Sequence, residues 1–135
     1  MRRNRWATLG LFLAMAGATT ACSGRISLGT EASACFRDLP TARQAVHDKG
    51  KLVGVRRVSA DTLRDRLPAD ATLATLPNQD LCVFAFSGTY DPGSVVGADA
   101  TKTGHFAIVA VSAKHPEAVA AVVVDELPTR FRHLH

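Results

Sequence analysis

The segment from Leu81 to Tyr90 constrains the fold of this chain more than any other. It reads Leu-Cys-Val-Phe-Ala-Phe-Ser-Gly-Thr-Tyr, so apolar side chains occupy both of its alternating sets of positions. Because successive side chains of a strand point to opposite faces of a sheet, this segment predicts a strand that is buried on both sides. We therefore expect it to lie in the centre of a sheet.

The residues before the first strand predict a short helix. It begins at Leu39 and is expected to run to about Lys49. Pro40 suits the first turn of a helix, and Gly50 suits the left-handed position just past its end. The folded part of the chain is expected to begin a few residues earlier, near Cys35.

The first strand is expected from Lys51 to Val58, where apolar residues again occupy both sets of positions. Strict alternation places Val53 and Val55 on one face of this strand, with Leu52 and Val58 on the other. Both faces of the strand therefore carry apolar side chains.

Similar patterns place the remaining elements. A second short helix is expected after a cap at Ser59 or Asp61, and Pro68 ends it. A connector without regular structure then leads to the central strand. The last two strands are expected at Gly104–Ser112 and Ala118–Leu127.

These elements predict an α+β domain. We expect an antiparallel β-sheet of about four strands, joined largely as a meander, with one or two short helices packed on one face. This order of elements is loosely similar to small cystatin-like and PepSY-like domains of bacterial exported proteins, with which the chain shares no motif. Residues 35–128 would form this single domain, after a flexible tether over residues 22–34 and before a basic tail over residues 129–135.

The N-terminal segment predicts export from the cytoplasm. Arg2, Arg3 and Arg5 form a basic start, and an uncharged, mainly apolar stretch follows from Trp6 to Ala18. A basic start, a short apolar core and small residues after it are typical of a secretory signal peptide. The apolar stretch is shorter than the ~20 residues that a membrane-spanning helix needs.

The last residues of this segment, Thr19-Thr20-Ala21-Cys22, resemble the lipobox of bacterial lipoproteins, although Thr19 stands where that family usually has an aliphatic residue. The resemblance implies that residues 1–21 are a signal peptide and that Cys22 becomes the first mature residue. It implies that the Cys22 sulfur carries a diacylglyceryl group, with palmitate expected among the acyl chains. The mature protein would then be anchored to the cell membrane on its extracytoplasmic side.

Two alternatives fit the same segment. Ala16-Gly17-Ala18 is a cleavage site of the A-x-A type, which would give a freely secreted protein. The uncharged run from Trp6 to Gly24 would give an uncleaved anchor if it were retained.

The cysteine count is odd, which in an exported protein needs an explanation. If Cys22 carries lipid, Cys35 and Cys82 remain as a pair, and outside the cytoplasm they would oxidise to a disulfide. Such a bond would stabilise the domain by ~4 kcal/mol in the chain-entropy model. The alternative is two separate buried thiols.

The charge of the mature chain argues against nucleic-acid binding. The whole chain has a formal net charge of +4 and a pI of about 9.3. However, the part from Cys22 onward holds 13 Lys and Arg against 12 Asp and Glu, because three arginines belong to the signal segment. A nearly neutral domain does not provide the basic surface that binding to nucleic acid requires.

The stretch from Asp91 to Thr103 is the predicted binding loop. Loops of this length in a compact domain are either functional or without fixed structure. Oxygen atoms of Asp91, Ser94, Asp99 and Thr101 suit a hard cation or a small ligand, although the spacing of a calcium loop is absent. The alternative is a polar hairpin loop that binds nothing.

The histidines provide the other candidates. His133 and His135 lie two residues apart in the tail, and with one more ligand they would hold a transition metal weakly; a solvated tail is the alternative. His105 is the candidate base of a hydrolase whose other residues come together only in space. No H-E-x-x-H, C-x-x-C or G-x-S-x-G motif occurs in the sequence.

The export signal, the cysteine count and the lack of a catalytic motif favour a non-enzymatic binding or interaction module of the cell envelope. Its partners would be the membrane, through the lipid, and an envelope protein or a small ligand. We expect no cofactor. The alternatives are a metal or small-ligand carrier and an exported hydrolase.

Overall fold

The computed structural model describes residues 30–67 and 69–129. The predicted signal peptide, Cys22, Pro68 and all but the first residue of the predicted tail lie outside the described residues. None of the helices in these two ranges has the length and apolar character that crossing a membrane requires. The elements in chain order are α1 (Thr30–Cys35), a 3₁₀ turn (Phe36–Asp38), α2 (Leu39–Ala45), β1 (Lys51–Ser59), α3 (Ala60–Arg66), α4 (Ala71–Ala74), β2 (Asp80–Tyr90), β3 (Gly104–Ser112) and β4 (Ala118–Val124).

The central position predicted for the segment Leu81 to Tyr90 is confirmed. The strands follow the order β1-β2-β3-β4 and every neighbouring pair is antiparallel, so β2 pairs on both sides. Phe84 of β2, for example, lies opposite Val55 of β1 and Val109 of β3. The α+β class and the four-stranded antiparallel sheet are therefore as predicted.

The two faces of β2 contribute to two separate apolar clusters. On one face, Phe84 and Phe86 pack with buried residues from α1, α2 and the segment after α2. On the other face, Leu81 and Val83 pack with buried residues of α3, α4 and their flanks. The prediction of helices on one face thus describes only α1 and α2. A second helical layer covers the opposite face, because β2 presents large apolar side chains to both.

A bulge in β1 overturns the predicted faces of that strand. The pairing with β2 shifts register between Leu52 and Gly54. Beyond the bulge the alternation is inverted, so Leu52 shares the first cluster with Val55, and Val53 shares the second with Val58. The prediction that Val53 and Val55 lie on one face was therefore wrong.

Helix α2 ends at Ala45, earlier than the predicted end at Lys49. The amides of His47 and Asp48 donate back to carbonyl oxygens of the last helical turn, at 3.0 and 2.8 Å, in the pattern of a Schellman motif. His47 occupies the left-handed position of this motif, with a φ of 52°. Gly50, which the sequence predicts for this position, lies three residues further along the chain.

The early end of α2 has a tertiary cause. The Ala45 carbonyl oxygen accepts a hydrogen bond from the Val96 amide at 2.8 Å. In a longer helix this oxygen would accept from Lys49, but the Lys49 amide donates instead to the Val46 carbonyl at 3.0 Å. The loop that contains Val96 therefore takes the hydrogen-bond acceptor that a further helical turn would use.

Gly50 has a different role, in the approach of the chain to β2. Its φ is +81°, and a Cβ atom there would stand 2.6 Å from the Ser87 carbonyl oxygen. The Tyr90 hydroxyl fills the space beside it, donates to the Lys49 carbonyl at 3.3 Å and has its pKa raised by burial. Only glycine both adopts this positive φ without strain and leaves room for the Ser87 carbonyl oxygen.

The second half of the chain departs less from prediction. Helix α3 begins after Ser59, as expected, and the Ser59 Oγ accepts from an amide of the first turn at 3.3 Å. The connector before β2, which is predicted to lack regular structure, contains α4. Asp70 caps this helix by accepting from the Thr72 amide at 2.8 Å. Strand β4 ends at Val124 rather than Leu127.

The predicted disulfide between Cys35 and Cys82 is present. It joins the last residue of α1 to the central strand, with the two Cα atoms 5.4 Å apart, and only 0% and 3% of the two residues are exposed. The residues Thr30 to Ala34, which we expected in the tether, belong to α1. Regular structure therefore extends at least as far toward the N-terminus as Thr30.

Candidate functional site

The loop between β2 and β3, predicted as a binding loop, packs onto the first apolar cluster. Val95 is buried there, and the Val96 amide donates to the end of α2. The side chain of Val96 itself points outward, and the residue is 56% exposed. The loop thus covers an edge of the core, which gives its order a structural cause independent of any ligand.

The four oxygen-bearing residues of this loop form two local turns. The Ser94 amide donates to the Asp91 carbonyl at 3.0 Å, and the Ser94 hydroxyl is buried with no hydrogen-bond partner among the described residues. Asp99 Oδ1 accepts from the Thr101 hydroxyl at 2.7 Å and from the Thr101 amide at 2.9 Å. These two hydrogen bonds lower the pKa of the exposed Asp99 carboxyl, and the bond from the Thr101 hydroxyl has the larger effect.

Metal binding gains no support from this arrangement. Within 30–67 and 69–129, no three His, Cys, Asp or Glu side chains come together as a metal site. One oxygen of Asp99 already serves the turn through Thr101. His133 and His135, the other predicted ligands, lie outside the described residues.

His105 has an acidic neighbour. Its Nδ1 atom lies 3.4 Å from Asp125 Oδ1. This contact joins β3, which contains His105, to the residue that directly follows β4. Both side chains are largely exposed, at 72% and 76%. Asp125 also borders a cavity of about 380 Å³ beside the end of β4, which Lys102 borders as well. Among the described residues, no hydroxyl group is hydrogen-bonded to His105.

A larger groove runs beside α2. It has a volume of about 740 Å³. We call it the α2 groove. The residues that line it are Phe36, Leu39, Pro40, Thr41, Arg43, Gln44 and Asp48. The 3₁₀ turn creates it by directing Phe36 outward, 52% exposed, while Asp38 two residues later is buried.

The floor of the α2 groove is fixed by the first apolar cluster. Leu39 is half-buried against that cluster. The Arg43 guanidinium lies over the Phe86 ring, 5.8 Å from its centroid, which holds the arginine stem across the sheet. The groove is therefore a surface of mixed character, with an apolar end at Phe36 and charged groups at Arg43 and Asp48.

The turn between β3 and β4 flanks the Phe36 end of the groove. Arg37 Nη2 donates to the Ala113 carbonyl at 2.9 Å, and the Thr41 hydroxyl to the Pro116 carbonyl at 3.4 Å. Arg37 Nε also lies 3.6 Å from Asp38 Oδ1. The second oxygen of this buried carboxylate has no hydrogen-bond partner in the part of the chain that the structure describes.

Sequence reasoning missed this groove. Its residues carry no motif, and the contact that shapes it joins Arg37 to Ala113, 76 residues apart. The one local signal is Phe36, an aromatic residue placed between a buried cysteine and the charged pair Arg37-Asp38, outside any periodic pattern.

Similarity to known proteins adds nothing to these observations. No family model, curated protein or solved structure matches the chain.

Proposed function

We propose that this protein is a lipid-anchored module of the cell envelope, held outside the cytoplasmic membrane, which binds a partner through the α2 groove and carries out no chemistry of its own. The proposed anchor rests on the pairing of cysteines. Cys35 and Cys82 are joined in a disulfide, which leaves Cys22 as the third cysteine, directly after an apolar segment and small residues. A structural disulfide is typical of proteins that fold in an oxidising compartment.

The α2 groove supports the binding role. It is the largest cavity described above, and it combines an exposed aromatic ring with charged groups on a surface that α2 and the disulfide hold in place. Aromatic and arginine side chains are enriched at protein interfaces. A partner would contact Arg43 and its neighbours in the groove without needing any rearrangement of the sheet.

The anchor is tested by intact-mass analysis and cell fractionation of the full chain, expressed in a bacterium that processes lipoproteins. We expect a mature mass that begins at Cys22 and includes a diacylglyceryl group, and protein in the membrane fraction. The Cys22→Ser variant should leave that fraction while keeping the disulfide. A mass that begins at Thr19 would favour secretion, and one that begins at Met1 an uncleaved anchor; both would contradict the lipid.

Binding by the α2 groove is tested by capture from detergent extracts of envelopes with immobilised mature protein. Arg43→Ala should reduce capture of a specific component, because it removes the cationic contact of the groove. Lys102→Ala is the matched control, because Lys102 is an exposed cation that borders the other cavity, beside the end of β4. Equal capture by all variants would show that the groove is not the binding surface.

One contact favours a second candidate, an exported hydrolase. The His105–Asp125 pair beside a cavity has the orienting carboxylate that a histidine base uses. If the protein is a hydrolase, turnover of short acyl esters should disappear in His105→Ala and persist in His115→Ala, a second exposed histidine. Absence of turnover in the parent protein would remove this candidate.

A further inference from the structure

The end of the domain that lies nearest to Cys22 along the chain carries an exposed aromatic residue and cationic groups. Helix α1 ends at Cys35, and Phe36 follows directly, about half exposed. Arg37 comes next, and its contact with the Ala113 carbonyl brings Lys114 to the same end of the molecule. We call Phe36, Arg37 and Lys114 the anchor-side patch.

The chain between Cys22 and this patch is short. Eight peptide units separate Cys22 from Thr30, so even a fully extended chain spans no more than ~29 Å between them. Helix α1, with six residues, adds ~9 Å. The anchor-side patch therefore begins no more than ~38 Å from Cys22, so a lipid on Cys22 keeps the patch within reach of the bilayer surface.

The patch itself exposes cationic groups. Arg37 and Lys114 are exposed, as is His115 beside them. The Asp38 carboxylate is buried behind Arg37, and Glu117 is an exposed carboxylate of the neighbouring turn. Asp80, whose carbonyl accepts from the Ala113 amide, is also exposed, but its carboxylate is paired with Arg57 at 2.9 Å. Cationic groups beside a membrane are attracted to anionic headgroups, and aromatic side chains favour the interface between headgroups and acyl chains.

We propose that the anchor-side patch rests on the anionic phospholipid surface that holds Cys22, with the Phe36 ring inserted at the level of the headgroups. The partner of the Phe36 end of the α2 groove is then the bilayer itself. This inference rests on the proposed lipid anchor, because one aromatic ring and two cations bind a bilayer only weakly when the protein is free in solution. The anchor makes the contact intramolecular, which raises the effective concentration of the surface.

The mature chain offers a direct probe of this contact. The sequence has one tryptophan, Trp6, which belongs to the predicted signal peptide. A Phe36→Trp variant would therefore carry the single tryptophan of the mature protein. Val96→Trp is the matched control, since Val96 is similarly exposed, at 56%, and lies beyond the other end of α2.

The experiment compares both variants, purified with their lipid and inserted into phosphatidylglycerol–phosphatidylcholine vesicles that contain lipids brominated near the headgroup. We expect the tryptophan emission of Phe36→Trp to shift to the blue and to lose most of its intensity to the brominated lipid. The emission of Val96→Trp should be the same in vesicles with and without bromine. In pure phosphatidylcholine vesicles, and in a Phe36→Trp/Lys114→Gln variant, the quenching at position 36 should be weaker.

The outcomes separate the inference from the anchor. If the intact mass of the sample lacks the lipid, the proposed function fails first. If the lipid is present and the emission of Phe36→Trp responds no more than that of Val96→Trp, the docking of the patch is refuted while the anchor stands. If quenching of Phe36→Trp is equal in neutral and anionic vesicles, the role of Arg37 and Lys114 is refuted.

Discussion

The Cys35–Cys82 bond should supply a large share of the stability of the domain. The bond spans a sequence separation of 47 residues, and closing a loop of that size removes unfolded-state entropy worth about 4 kcal/mol. Small domains have a total stability of roughly 5–15 kcal/mol. A variant in which both cysteines are replaced by alanine, which leaves no lone thiol, should therefore lose a large part of its stability.

Urea denaturation followed by circular dichroism measures this loss. With a urea dependence of ~2 kcal/mol per M, the midpoint of the Cys35→Ala/Cys82→Ala variant should fall by about 2 M. The Cys22→Ser variant is the control and should unfold like the parent. Because both sulfurs are buried, a reductant should not cleave the bond in the folded parent. It should lower the urea midpoint of the parent only by cleaving the bond in molecules that have already unfolded. An unchanged midpoint in the double variant would refute the entropy argument.

Three further predictions concern backbone and charge. His47→Gly should raise stability by about 1 kcal/mol, because glycine adopts the left-handed conformation of the Schellman motif at no steric cost; a lower urea midpoint would contradict this. Gly50→Ala should lower stability by more than ~1 kcal/mol, since the new Cβ meets both a positive φ and the Ser87 carbonyl; an unchanged midpoint would show that the backbone relaxes. The hydrogen bonds from Thr101 hold the pKa of Asp99 below its usual range, so the stability they give is present above the unfolded-state pKa and is lost as pH falls through the folded-state pKa. Stability measured between about pH 2 and pH 6 should therefore depend less on pH in Asp99→Asn than in the parent.

The sheet was predictable because its signals are local. The apolar residues on both faces of Leu81–Tyr90 indicated a central strand, and the pairing on both sides of β2 confirms it. The same pattern also implied that helices or loops cover both faces of the sheet. The prediction of helices on one face overlooked this. The bulge in β1 had a local signal too, since Gly54 interrupts a strand, and glycine within a strand often marks a bulge.

The end of α2 and the α2 groove were not predictable in this way, because distant residues determine them. Gly50 is a sound signal for the end of a helix, yet the Val96 amide takes the Ala45 carbonyl and ends α2 before Gly50 is reached. The contact from Arg37 to Ala113 joins segments whose proximity depends on the whole meander. Local periodicity carries no information about such pairs.

The disulfide also connects the proposed anchor to the core. Cys35 directly precedes Phe36, so the bond to Cys82 fixes the anchor-side patch to the central strand. Besides the adjoining 3₁₀ turn, α1 packs mainly on β1 and β2. Without the bond, residues 30–38 should open more readily than β3, which pairs with a strand on both sides. Amide hydrogen exchange of the Cys35→Ala/Cys82→Ala variant, at a temperature where it stays folded, should show faster exchange in residues 30–38 and little change in residues 104–112. Equal acceleration in both segments would mean that the bond stabilises the domain as a whole and does not specifically hold the patch in place.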